Sequence, residues 1–261
     1  MHFGMPTLVE LSTLEENIRL CTQLGLQFVE LNMNLPEYAD LARVDKQRLM
    51  RAMREDRVYF TLHLDERMDV CDFNPHVAAA YLRTVEEALC LAGEVGIPVL
   101  NMHLNPGVYF TLPTHKQYLY AGKEAQYLSG MEKLRALVEA NAPSGTLVCI
   151  ENTDGFTPFM QKGIDLLLQS EKFALTLDVG HMHGIHDADA PFMHVRLQRL
   201  KHMHLHDATR TPNKNHLPLG EGELDIAQKL RLAAEHDCRV VVEVKTAQAL
   251  RRSVERLLEY R

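Results

Sequence analysis

Cysteine is scarce and scattered: five residues in 261, an odd number, with no Cys-x-x-Cys pair. Neither a disulfide framework nor a thiolate zinc site fits that distribution, and buried free thiols in a reducing compartment are expected. Also missing is any apolar run near the roughly 18 residues that span a bilayer, so no membrane segment is expected. The opening MHFGMPTLVELSTLEEN lacks the basic-then-apolar order of a secretory signal, and a cytoplasmic location is the resulting expectation. Basic excess is absent too, with 28 Lys+Arg against 35 Asp+Glu and a formal net charge of -7. Nucleic-acid affinity rests largely on basic contacts to phosphate, so this balance argues against a nucleic-acid partner. No Pro/Gly/Ser-rich linker or low-complexity tract interrupts the chain, which is expected to form one domain over residues 1–261.

What the chain does contain is a regular alternation of strand-like and helix-like segments. HFGMPTL reads as a first strand, and STLEENIRLCTQLG as a helix opened by a capping-box pattern, Ser12 to Glu15 or Thr13 to Glu16. FVELNM (28–33), VYFTLHL (58–64), PVLNMHL (98–104), TLVCIEN (146–152) and FALTLDVGH (173–181) follow as strands two to six. KHMHLHDATRT (201–211) is the seventh and RVVVEVK (239–245) the eighth. Helices are expected at 45–56, from Asn74-Pro75 to about Gly93 or Gly96, before about 140, and at the end of the chain, where Leu250, Val254, Leu257 and Leu258 share a face. Eight β-then-α units imply a parallel sheet covered by helices, and eight is the number that closes a (β/α)8 TIM barrel of about 250 residues. An open doubly wound sheet is the rival, but it usually carries a glycine-rich loop after its first strand, and MPTLVELST has no glycine there.

The C-terminal ends of these strands carry the polar residues. Strand three ends in His63, strand four in His103, strand five in Glu151 and strand six in Asp178, with His181 just beyond. Strand seven offers His202, His204 and His206, and strand eight Glu243. In a barrel these ends converge on one mouth, where active sites are built. A single strand-end histidine is ordinarily a hydrogen-bonded framework residue. Three carboxylates buried together are another matter, since unpaired buried charges cost several kcal/mol or are forced to protonate. One divalent cation removes the difficulty, and a donor set of carboxylate and imidazole without thiolate suits Mn, Mg, Co or Zn.

Together CIEN (149–152), LDVGH (177–181), MHLHD (203–207), LGEGELD (219–225) and VVEV (241–244) resemble the xylose-isomerase-like TIM-barrel superfamily. That group contains sugar and sugar-phosphate isomerases and epimerases, inosose-processing enzymes and apurinic-site endonucleases of the endonuclease IV type (AP endonuclease family 2). The resemblance spans essentially the whole chain in strand order. It implies Glu151, Asp178, His204 and Glu243 as ligands of a divalent metal ion. It further implies His181 and Arg210 as sugar contacts, by match to the epimerase branch. The second glutamate those epimerases use shortly after the strand-five ligand is absent from ENTDGFT. The endonuclease branch matches elsewhere: its extra zinc ligands map to His63, His103, His181 and His216, but its third-site aspartate is Lys214 here, which cannot ligate as a carboxylate would.

The chemistry so implied is proton transfer next to a carbonyl of a small-molecule sugar or sugar phosphate, through a metal-stabilised enediolate. Glu151 and Glu243 would serve as the catalytic pair. His63, His103, His181, Arg210 and His216 would bind substrate or a second metal. The alternatives are a multi-zinc phosphodiesterase that shares Glu151 between ions, a related lyase or dehydratase, and a sugar-binding protein without turnover. A homo-oligomer is compatible with all of these. Alternation assigns different depths to the histidines of strand seven. His202 is expected to be framework, His204 the ligand, and His206 a rim residue of open role, while Met203 and Leu205 face the helices. Glu30 is expected either to hold a substrate hydroxyl or to form a salt bridge inside the barrel, and His183 and His186 to be solvated.

Overall fold

Short runs of β-branched and aromatic residues supply the strands: β1 (His2–Pro6), β2 (Phe28–Asn32), β3 (Tyr59–His63), β4 (Val99–His103), β5 (Leu147–Glu151), β6 (Phe173–Asp178), β7 (Leu200–Leu205) and β8 (Arg239–Val242). In the computed structural model, which describes residues 1–260, they close in the order β1, β8, β7, β6, β5, β4, β3, β2, with every pairing parallel. This is the (β/α)8 barrel expected from the alternation. No helix among the described residues is long and apolar enough to cross a membrane.

Local signals set the helix limits. The helix Leu14–Gln23 uses Thr13, not Ser12, as its cap, in a reciprocal box with Glu16. Asn74 caps Pro75–Val95 by accepting from the His76 amide, and Gly96 ends it at φ 87°. Residues 46–56 form a short helix, Lys46–Arg51, that widens into a π-turn over Ala52–Asp56. Apolar faces of these helices pack on the outside of the barrel with Met5, Met33, Met102, Met182 and Met203, all of them buried. Four cysteines are buried, as expected, but Cys90 is exposed on the helix Pro75–Val95.

Inside the barrel lies a second and much smaller apolar cluster: Val99, Cys149 and Ala174. The Phe28 ring is likewise fully buried, over Gly4. Above this floor Glu30, Thr61, Asn101, Thr176 and His202 face inward, all buried and polar, while Val241, in register with His204, is apolar. Registers that pair His63 with Asn101, His103 with Glu151 and Asp178 with His204 bring the strand ends to one level.

Three segments depart from the sequence reading. β7 stops at Leu205, and Asp207–Arg210 turns into an antiparallel hairpin with Asn213–Leu217. The turn is anchored by buried Asp207, whose carboxylate accepts from the amides of Ala208, Gly220 and Leu224. β8 ends at Val242, one residue short of Glu243. A second hairpin, Tyr109–Thr111 with Lys116–Tyr118, occupies the loop after β4 and leaves Val108, Tyr109, Phe110 and Leu112 exposed.

A Cβ on Gly4 would lie 2.5 Å from the Phe28 ring, which is fully buried with Tyr59 stacked on it. Gly4→Val is therefore expected to destabilise the chain by about 1–3 kcal/mol through overpacking of the barrel floor, read as a lower midpoint in urea.

Candidate metal centre at the barrel mouth

Strands β3 to β7 contribute their last inward residues, His63, His103, Glu151, Asp178 and His204, to the mouth, and Glu243 follows the end of β8. His204, at the top of β7, is fully buried and stands at the middle. Its Nδ1 lies 3.2 Å from Glu151 Oε1, 3.1 Å from Glu243 Oε2 and 3.9 Å from Asp178 Oδ2. Its Nε2 lies 2.9 Å from Glu30 Oε1 on the opposite side. None of these approaches has hydrogen-bond alignment, and both nitrogens of His204 and Oε2 of Glu243 are buried without a hydrogen-bond partner. Donors that share one first-row ion at about 2.1 Å lie roughly 3.0–3.5 Å apart. His204 Nδ1 stands at that scale from both Glu151 and Glu243, and ligand atoms of Glu151, Asp178 and His204 lie within 4.8 Å of one another, so these residues fit a divalent cation.

The carboxylates are braced from behind. Glu151 Oε2 accepts from Asn101 Nδ2, and Asn101 is itself held by the Thr176 hydroxyl. Asp178 ends β6 and caps the short helix Val179–Gly184, accepting from the His181 amide at 2.6 Å. Asn152 grips both backbone groups of Asp178, each at 2.9 Å. Glu30 sits below His204 and also contacts Thr61 Oγ1 and His202 Nε2, each at 2.9 Å. Of the two expectations for Glu30, the internal salt bridge is the one observed.

Two further groups adjoin. His63 donates its Nδ1–H to the Leu64 carbonyl, which turns Nε2 toward Glu151 Oε2 at 3.4 Å; His103 Nε2 is 3.1 Å from the same oxygen. His63, His103 and Glu151 thus form a second cluster with metal-ligand spacing. On the other side the rings of His181, His206 and His216 face one another, and His216 donates Nδ1–H to the Glu243 carbonyl at 3.1 Å. Arg210 does not join these groups in any polar contact: its guanidinium is paired with Asp187 and donates to the His183 carbonyl. His183 is not solvated as expected but paired with Glu223 at 3.1 Å. Sequence reasoning did not pick out Asn101, Asn152, Thr61 or Thr176. Asn101 had a signal, since it lies two residues before His103 on the same strand face.

The electrostatics follow from burial. Burial opposes a charge on His204, but the carboxylates of Glu151, Glu243 and Glu30 outweigh it and hold the ring well above the ordinary imidazole value. Burial alone would raise Glu151 and Glu243, and charged His204 instead pulls both well below the carboxylate range. For His63 the Glu151 hydrogen bond and charge overcome burial and lift it to about 9. His216, where burial dominates, falls to about 4. The mouth calls for positive charge beside Glu151 and Glu243, and the His204 proton supplies it.

The sequence profile of the xylose isomerase-like TIM-barrel family matches residues 18–260. No curated protein matches the sequence. Among solved structures, a D-tagatose 3-epimerase-like protein superposes with a TM-score of 0.78 at 18% identity, covering 100% of this chain and 97% of its own. The 3-keto-D-glucoside 4-epimerase of E. coli gives 0.77 at 18% identity and 99% coverage of each. An IOLI protein solved with a bound zinc atom gives 0.74 at 15%, covering 100% of this chain and 98% of its own.

A cation entering between Glu151, Glu243 and His204 must displace the His204 proton. Zinc or manganese affinity is therefore expected to rise roughly tenfold per pH unit per proton displaced, with the released proton measured by calorimetry in two buffers of different ionisation enthalpy. In chelator-treated protein the His63 contribution to stability is full below its ordinary 6.5 and lost as pH rises through about 9. That of neutral His216 is full above 6.5 and lost toward about 4. Thermal melts of the metal-free chain are expected to peak near pH 6.5.

Proposed function

The chain belongs to the xylose isomerase-like TIM-barrel family, and from that premise we propose that it is a divalent-metal-dependent isomerase or epimerase of a sugar or sugar phosphate. The observation that carries this reading is His204 Nδ1, which lies 3.2 Å from Glu151 Oε1 and 3.1 Å from Glu243 Oε2 without an aligned hydrogen bond to either, in a group where ligand atoms of Glu151, Asp178 and His204 lie within 4.8 Å of one another. The sugar epimerases among its structural neighbours support the same class.

Glu151, Asp178, His204 and Glu243 would hold the ion. When bound, it would supply Lewis acidity that polarises the substrate carbonyl and lowers the cost of charge developing on its oxygen. The rest falls to the residues of the chain. Glu243 Oε2 is unpartnered, and its side chain is 18% exposed against 2% for Glu151. It is the better placed base for the proton on the carbon next to the carbonyl. Glu151, which meets the same His204 Nδ1 and whose carboxylate Asn101 and His103 keep fixed at Oε2, would be the second carboxylate of the pair. Two carboxylates on opposite sides of one carbon allow removal on one face and return on the other, which is what epimerisation requires. His216, 3.9 Å from Glu243 Oε2, and His181, edge-on to the His216 ring, are placed to orient substrate hydroxyls.

A second reading, a multi-zinc phosphodiesterase, is favoured by one observation: His63 and His103 turn Nε2 to the Glu151 oxygen, so Glu151 could be shared between two ions. The net charge of -7 and Lys214 count against it.

Metal content and activity separate the two. One ion per chain, with epimerisation of ketoses or ketose phosphates followed by solvent-deuterium exchange at the carbon next to the carbonyl, is the expected result. Two or three ions per chain with cleavage of an abasic-site duplex would favour the phosphodiesterase. Glu243→Gln is expected to lower kcat by about two to four orders of magnitude and to abolish deuterium exchange; unchanged exchange would sink the two-carboxylate scheme.

A further inference from the structure

We propose that His206 is a positioning residue for Asp178, acting as a neutral ring with its single proton on Nε2. The inference rests on the metal-centre reading above, and it concerns how the chain prepares one ligand of that centre.

His206 follows the last residue of β7 and is completely buried. Its Nδ1 accepts the backbone N–H of His216 at 2.8 Å. That hydrogen is fixed by the peptide plane, so Nδ1 must present a lone pair. His216 adopts φ 53°, a conformation costly for a residue with a side chain. The antiparallel hairpin and its Nδ1–H bond to the Glu243 carbonyl hold it there. The Asp207 carbonyl lies 3.2 Å from His206 Nδ1 but finds no proton on it. The charge of Asp178 favours a second ring proton. That proton would point straight at the His216 amide hydrogen, and the contact excludes it.

The ring hydrogen is consequently on Nε2, which lies 3.1 Å from Asp178 Oδ1 and 3.2 Å from Oδ2. Oδ1 also takes the His181 amide, so donors converge on Oδ1 while Oδ2 is the oxygen turned toward His204 Nδ1. With one nitrogen accepting and the other donating, His206 has no lone pair to give a cation. It therefore orients a ligand and is not one, although it lies within ligand spacing of His216 and Glu243. Outer partners of this kind set the orientation and basicity of metal ligands.

Gly180 belongs to the same device. A Cβ there would sit 1.9 Å from His206 Cε1 and 2.4 Å from Nδ1. The glycine of the Asp-Val-Gly-His run thus makes room for the third histidine of His-Met-His-Leu-His, and the two segments operate as one unit.

Two substitutions divide the bonds of the ring. In His206→Asn the side-chain oxygen can still accept the His216 amide, but nothing reaches Asp178. In His206→Gln the longer amide can still donate to Asp178 and gives up the His216 bond. Zinc affinity, measured on the full chain by competition with a chromophoric chelator, is expected to fall 10–100-fold in His206→Asn and to stay within about threefold of wild type in His206→Gln. The cobalt-substituted protein is expected to change its visible ligand-field spectrum only in the asparagine variant. Wild-type affinity in His206→Asn, or equal loss in both variants, overturns the proposal. Nitrogen NMR of histidine-labelled, metal-free wild type reads the tautomer directly and does not depend on either variant folding. A neutral Nε2–H ring at His206 is expected, and an Nδ1–H or doubly protonated ring overturns the assignment. If the wild-type chain takes up no divalent ion, the metal-centre reading falls, and the NMR experiment still decides whether His206 donates to Asp178.

Discussion

Glu151, Glu243 and Glu30 crowd a single buried imidazole, and the arrangement of the mouth follows from the need to neutralise them. A carboxylate taken out of water without a partner protonates or destabilises the fold. Here each acid is given a cation or a fixed set of hydrogen donors, and His204 serves three acids at once. Charge on that ring and charge on the acids sustain each other, so the site is coherent only when something positive occupies its centre. A proton does this in the metal-free chain, and the spacing of the donors suits a divalent ion in the same position.

The fold separates the demands of stability from those of chemistry. The large apolar core lies between the strands and the helices, while the barrel interior holds a small apolar cluster of Val99, Cys149 and Ala174 apart from it. Burial outside the barrel can carry the several tens of side chains a stable domain needs. The inside is thereby free to stack polar residues from Glu30 and His202 up to Glu151 and Asp178. Each level braces the one above: Thr176 holds Asn101, Asn101 holds Glu151, and Glu30 faces His204 from below.

The period of the chain made the barrel legible, because eight apolar runs separated by helical faces have few other ways to bury themselves. Strand-end positions were legible for the same reason, and alternation put His204 and His202 at different depths of the barrel. Roles that depend on contacts distant in sequence were not. Asn152 bonds the backbone of Asp178, and Asp207 bonds Gly220 and Leu224; neither pairing leaves a trace in local periodicity. Arg210 has the spacing expected of a sugar contact, yet Asp187 and the His183 carbonyl engage it, and only the tertiary path of the hairpin reveals that. His206 was the least readable, since its behaviour depends on an amide ten residues away.

Asp207 divides the loop that follows β7 into a fixed base and a variable tip. Its carboxylate ties Ala208, Gly220 and Leu224 together beneath the hairpin, and a Cβ on Gly222 would collide with it. The residues that touch the centre, His206 and His216, lie close to this knot, whereas the turn around Thr211–Pro212 projects beyond it. Insertions at that turn can alter what passes over the pocket while the knot shields the donors beneath from the change. A scaffold built this way can change its outer rim at one exposed corner while the cluster of carboxylates and imidazoles beneath keeps its arrangement.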